Sequence, residues 1–142
     1  MTDSRRLSLY AKVFLVCGFY LVALGLYFAL LRAALLPEDP RYIGSSHEAI
    51  RAVVPGLERW LGLVFKVMGG FMVATGALTV LAACRWLAKR EPGTFAALAV
   101  AGAASVGLMS AINFLLNSDF RWLLLLPALL WLLGLACYLR ER

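Results

Sequence analysis

Charged residues are distributed along this chain in blocks. Four stretches carry no Asp, Glu, Lys or Arg: residues 13–31, 67–84, 92–118 and 122–139. Helix rises 1.5 Å per residue, so the roughly 30 Å hydrocarbon core of a bilayer takes about 20 apolar residues, with a working range near 17–25. A helix on the surface of a soluble protein keeps one polar face. These stretches have none. They predict four membrane-spanning helices over about 13–31, 62–84, 94–116 and 122–139, and so an all-α membrane protein. The expected fold is a four-transmembrane-helix bundle forming one integral membrane domain over residues 1–142.

The connection between the first two spans is long, and its pattern changes. Leu36-Pro37-Glu38-Asp39-Pro40 cannot continue a helix, because each proline lacks a donor and restricts the residue before it. Ser45 and Glu48 have the spacing of a capping box. A short helix over about 46–54 follows, ending at Pro55-Gly56. Ile50, Val53, Val54 and Leu57 fall on one side of it, opposite Glu48, Arg51 and Glu58. This pattern predicts an amphipathic helix on the membrane surface.

Composition agrees with this layout. The chain is 63% hydrophobic and 15% charged, where soluble domains average about 45–50% apolar and about 25% charged. This excludes a soluble enzyme, a nucleic-acid binder and a disordered chain. The net charge of +6 then bears on orientation. Eight basic residues (Arg5, Arg6, Lys12, Arg85, Lys89, Arg90, Arg140 and Arg142) sit in short flanks on the side of the termini. Six (Arg32, Arg41, Arg51, Arg59, Lys66 and Arg121) are spread along the opposite side. The positive-inside rule counts Lys and Arg in short flanks, and it places both termini in the cytoplasm. Tyr10, Trp86 and Tyr138 are expected at the inner interface, with Trp60 and Trp122 at the outer one.

Small residues suggest how the helices meet, since lipid tails compete with any apolar contact and close backbone approach must help. The first span has Gly18 and Gly25. The second has Gly62, Gly69, Gly70 and Gly76, and the third is rich in small residues from Ala97 to Ala111. The third helix is therefore expected at the centre, with the Leu-rich fourth facing lipid and Pro127 near its outer end. The same faces would also serve a homo-oligomer.

An ionisable residue inside the membrane is a functional candidate, and here the acidic ones are missing: no Asp or Glu lies in any predicted span. The single His47 lies in a loop, and the chain has neither a C-x-x-C nor an H-E-x-x-H motif. No catalytic constellation, metal or cofactor is expected. Cys17, Cys84 and Cys137 fall in the cytoplasmic half and read as small apolar residues; a redox role would require them to converge. The best polar group is Arg59, Lys66, Asn113, Asn117 and Asp119, near the outer ends of the second and third helices. In an antiparallel pair, Lys66 approaches Asn113 and Asn117, while Arg59 approaches Asp119. Such a group holds a lipid headgroup or small anion, or else acts as a structural clasp.

In Leu36-Pro37-Glu38-Asp39, Lys66 to Gly70 and Leu126-Pro127 the chain resembles small four-helix bacterial inner-membrane proteins of the DoxX-like type. The resemblance implies an architecture and a bacterial inner membrane, and transfers no catalytic residue. The reading that follows is a non-enzymatic accessory or interaction protein. Its partners would be the lipid bilayer and a membrane protein or a second copy, with no nucleic acid. The alternative is a binder or transporter of a lipid-like or small anionic molecule at the outer ends of helices 2 and 3.

Overall fold

A computed structural model describes residues 8–141. Arg5, Arg6 and Arg142, used above for orientation, lie outside the described residues. The chain runs α1 (Leu9–Leu30), α2 (Asp39–Ile43), α3 (His47–Val53), α4 (Leu57–Arg85), α5 (Thr94–Gly102), a π-helical segment (Ala103–Gly107), α6 (Leu108–Leu115) and α7 (Arg121–Arg140). The described residues contain no strand. α5, the π segment and α6 form one span, Thr94–Leu115, so four helices are long and apolar enough to cross a membrane. They match the expected spans to within five residues at each end. The end with the long loop and the α6–α7 turn is called the loop end; the other is the terminal end.

The packing differs from the sequence expectation: α1 is the central helix. It packs along α4 on one side and against α7 on the other, while α4 meets the third span sparsely. The cause lies in heptad spacing. Gly18 and Gly25 on α1 face Gly76 and Gly69 on the antiparallel α4, and Ala11 and Ala83 continue the two series at the same spacing. A Cβ built on Gly25 would lie 2.6 Å from the Gly69 carbonyl oxygen, and one on Gly76 would lie 2.6 Å from that of Gly18. Those neighbours are backbone and cannot turn aside, so the two helices touch main chain to main chain. Ala11 and Ala83 are fully buried at the next heptad step.

α7 is a packing helix rather than the most lipid-exposed one. Its Trp131 is buried and meets Phe14 of α1 edge-on at 5.5 Å, and the Phe14 ring lies over Gly134. Trp131 Nε1 donates to Leu98 O at 2.9 Å, with its indole seated on Gly102, where a Cβ would collide with the ring. The π segment begins at the next residue, and Leu108 N–H there reaches back five residues to Ala103 O. Nearer the loop end, Pro127 has no hydrogen to give to Leu123 O. Ser110 Oγ of the third span donates to Leu124 O in that weakened turn, at 2.7 Å. The third span is the least buried of the four.

Helix ends follow from a few residues. Gly44 (φ 73°), Arg90 (φ 51°) and Asn117 (φ 51°) are left-handed. Each is followed by an N–H bonded five residues back: Ser45 to Pro40, Glu91 to Trp86 and Ser118 to Asn113. This is the Schellman arrangement for closing a helix. At the start of α3, Ser46 rather than Ser45 is the cap, its Oγ accepting from Ala49 N–H at 3.1 Å. Ile50 is buried, and Val53 and Val54 are exposed. Trp60, Trp86 and Trp122 are exposed as interface residues would be. Tyr10 and Tyr138 are buried against each other, 5.3 Å apart, and plug the terminal end of the bundle instead.

Candidate functional site

The five polar residues singled out near the outer ends of the second and third helices are dispersed by this packing. Arg59 and Lys66 are exposed on α4, which turns to α1. Asn113 Nδ2 donates to Met109 O of its own helix at 2.9 Å, and Asn117 is the left-handed residue closing α6. Asp119 is engaged, but by Arg41 at 3.0 Å. No hydrogen bond or ion pair joins any two of the five among the described residues.

A different polar group closes the loop end. Glu38, just before α2, accepts from Ser118 Oγ at 2.9 Å and from Asp119 N–H at 2.8 Å. Arg41 ties Asp119 from the same loop, and Asp39 accepts from Leu36 N–H at 2.7 Å. Of the proline-flanked acidic pair, legible in sequence only as a helix breaker, Glu38 is thus an anchor between the long loop and the start of α7, while Asp39 holds the loop's own turn. Pro40 sits in the first turn of α2, where its missing N–H has no intrahelical partner to lose. Beside the anchor, the Arg32 guanidinium lies 3.7 Å from the Phe65 ring centroid and 5.3 Å from that of Phe28. Burial there draws its pKa below that of a free guanidinium, while Asp39, Tyr27 and Glu38 pull it up.

At the terminal end, Arg90 donates to Tyr138 O at 3.3 Å and Glu141 O at 2.8 Å. Its guanidinium lies 4.6 Å from the Tyr138 ring centroid. It caps the last turn of α7. Cys17, Cys84 and Cys137 are free thiols, and no group of three or more His, Cys, Asp or Glu among the described residues is placed to hold a metal.

The sparse contact between α4 and the third span leaves a lateral groove of about 470 Å³. Thr75 and Thr79 line it from α4, and Trp86 from just past the end of that helix; Ala97, Ala104 and Ser105 line it from the third span. Three of its four hydroxyls are already committed. Thr75 Oγ1 donates to Phe71 O, Thr79 Oγ1 to Thr75 O and Ser105 Oγ to Ala101 O. The walls therefore offer an apolar ligand a surface with few free donors. At the terminal end the groove continues, through Trp86, Thr94 and Ala97, into a second recess of about 540 Å³ that Lys89 and Glu91 also line. Neither Lys89 nor Glu91 is ion-paired among the described residues. Sequence reasoning named Ala97, Ala104 and Ser105 as packing residues and Lys89 as a topology marker. It missed their convergence because helix adjacency is not written in either pattern.

No family model, no curated protein and no solved structure matches the chain. Fold and helix composition define a multi-pass, four-span membrane protein.

Proposed function

We propose that this multi-pass membrane protein is a non-enzymatic accessory protein of the bilayer that holds a lipid-type molecule between α4 and the third span. The groove carries this reading. Its α4 wall runs from Trp86 to Thr75 and its opposite wall from Thr94 to Ser105. Each corresponds to about 16 Å of helix rise, close to half of the roughly 30 Å hydrocarbon core. An acyl chain of one leaflet has that length; a transmembrane helix of a partner needs twice as much. The anchored polar side chains at both ends, Arg90 and Glu38, serve the fold. The loop-end group of Glu38, Arg41, Ser118 and Asp119 reads as a structural clasp.

The small-residue wall of Ala97, Ala101 and Ala104 favours a second reading, an interaction protein receiving a partner helix. The proposed setting is a bacterial inner membrane with both termini cytoplasmic. Basic flanks and the DoxX-like resemblance support it. The full chain extracted from its membrane in mild detergent is expected to carry phospholipid that Ala104→Phe lowers several-fold without changing the thermal midpoint. Ala104 is exposed on the groove wall, so the larger side chain fills the groove and spares the core. Unchanged lipid content in a folded Ala104→Phe variant would overturn the reading. Loss of a co-purifying membrane protein instead would establish the second one.

A further inference from the structure

The mouth of the groove carries one cation and one anion, and both face the same recess. Lys89 and Glu91 flank Trp86, Gly93 and Thr94 there. Both side chains belong to exposed residues at the terminal end, next to the helix ends that mark the membrane boundary. Arg90 turns its guanidinium to the carbonyls of Tyr138 and Glu141 and does not line the recess. The apolar groove opens into this recess without a break, because Trp86, Thr94 and Ala97 line both.

Resting on the lipid reading above, we infer that the groove takes a phospholipid whose headgroup carries a primary ammonium beside its phosphate. One acyl chain lies between α4 and the third span. The phosphate meets the Lys89 ammonium, and the headgroup ammonium meets the Glu91 carboxylate. Trp86 sits at the boundary between chain and headgroup, where an indole combines an apolar body with an N–H donor. A purely anionic headgroup would satisfy Lys89 and leave Glu91 facing like charge. A quaternary ammonium would meet the carboxylate with no N–H to donate. Complementary charge and hydrogen bonding together select the primary amine.

The full chain is tested in vesicles of equimolar phosphatidylethanolamine, phosphatidylglycerol and phosphatidylcholine with identical acyl chains. It is then extracted in mild detergent, and the retained lipid is quantified by mass spectrometry. The wild type is expected to retain phosphatidylethanolamine severalfold over the other two. Glu91→Gln is expected to remove that preference while keeping total lipid near the wild-type level, and Lys89→Gln to lower all three. Ala97→Phe, a second groove-filling change at an exposed position, is expected to abolish retention of every lipid with the helical signal and thermal midpoint preserved. Equal retention of the three lipids, preferential retention of phosphatidylglycerol or phosphatidylcholine, or a Glu91→Gln variant that keeps the wild-type preference overturns the headgroup assignment. If Ala97→Phe still abolishes retention, the groove reading stands. Retention unaffected by Ala97→Phe overturns both.

Discussion

Glu38 does more than either of its charged neighbours at the loop end. Its carboxylate is mostly covered, with 15% of the side chain exposed, and accepts two hydrogen bonds from the segment that starts α7. Arg41 and Asp119 are about two-thirds exposed, and an ion pair so placed contributes roughly 0–1 kcal/mol. Hydrogen bonds to a charged acceptor contribute about 1.5–3 kcal/mol each. Because the bond from Asp119 N–H is solvent-exposed and contributes little, Glu38→Ala is expected to lower stability by about 2–3 kcal/mol, and Arg41→Ala by less than about 1 kcal/mol. Thermal unfolding in detergent, followed by circular dichroism, reads both. Equal losses would show that the clasp is held by the surface ion pair. Arg90 illustrates the same economy of role: its backbone is left-handed, a conformation that favours glycine, and its side chain supplies the compensating bonds to α7.

At the scale of elements, the glycines of α4 divide into two kinds. Gly69 and Gly76 touch α1 backbone, whereas a Cβ on Gly62 or Gly70 would meet nothing within 4 Å. Gly69→Ala must push two helices apart, and overpacking of this sort costs about 1–3 kcal/mol. Gly70→Ala adds a methyl facing open space and gains about 0.5–1 kcal/mol of helix stability. Opposite shifts of the unfolding midpoint are expected for the two neighbours; shifts of one sign would refute the α1–α4 register.

Much of this level was legible in the sequence. Charge-free blocks located the spans, because a bilayer core excludes unpaired charge from every face of a helix. The loop helix was legible for the same kind of reason, with Ser46 taking the capping role one residue later than expected. Adjacency was not. Gly62, Gly69 and Gly76 lie on one face, but nothing in that spacing says which helix they face, and the third span's alanines looked equally suited to a core. The heptad match of Gly18 and Gly25 to Gly76 and Gly69 was the available signal. The five-residue polar group failed to assemble because it assumed that α4 and the third span pack closely.

For the molecule as a whole, four antiparallel spans put the start of α1 and the end of α7 on one side. The basic flanks are the ground for the proposal that this side is cytoplasmic. In a variant with Cys17, Cys84 and Cys137 replaced by alanine, a cysteine at Glu48 is expected to react with a membrane-impermeant maleimide added to intact cells. One at Ala88 is expected to react only after permeabilisation. The reverse pattern would invert the orientation, and with it the leaflet whose lipids reach the groove.

The central position of α1 also bears on how the protein is made. Domains of a chain generally fold from the N-terminus as synthesis proceeds. Here α1 and α4 emerge first and already possess their glycine contact, so this hairpin can close early. The third span comes next and finds little purchase on α4. Its partners, Trp131 for the Leu98 carbonyl and Leu124 for the Ser110 hydroxyl, belong to the helix still to come. Until α7 is made, the third span therefore lacks the helix that joins it to α1.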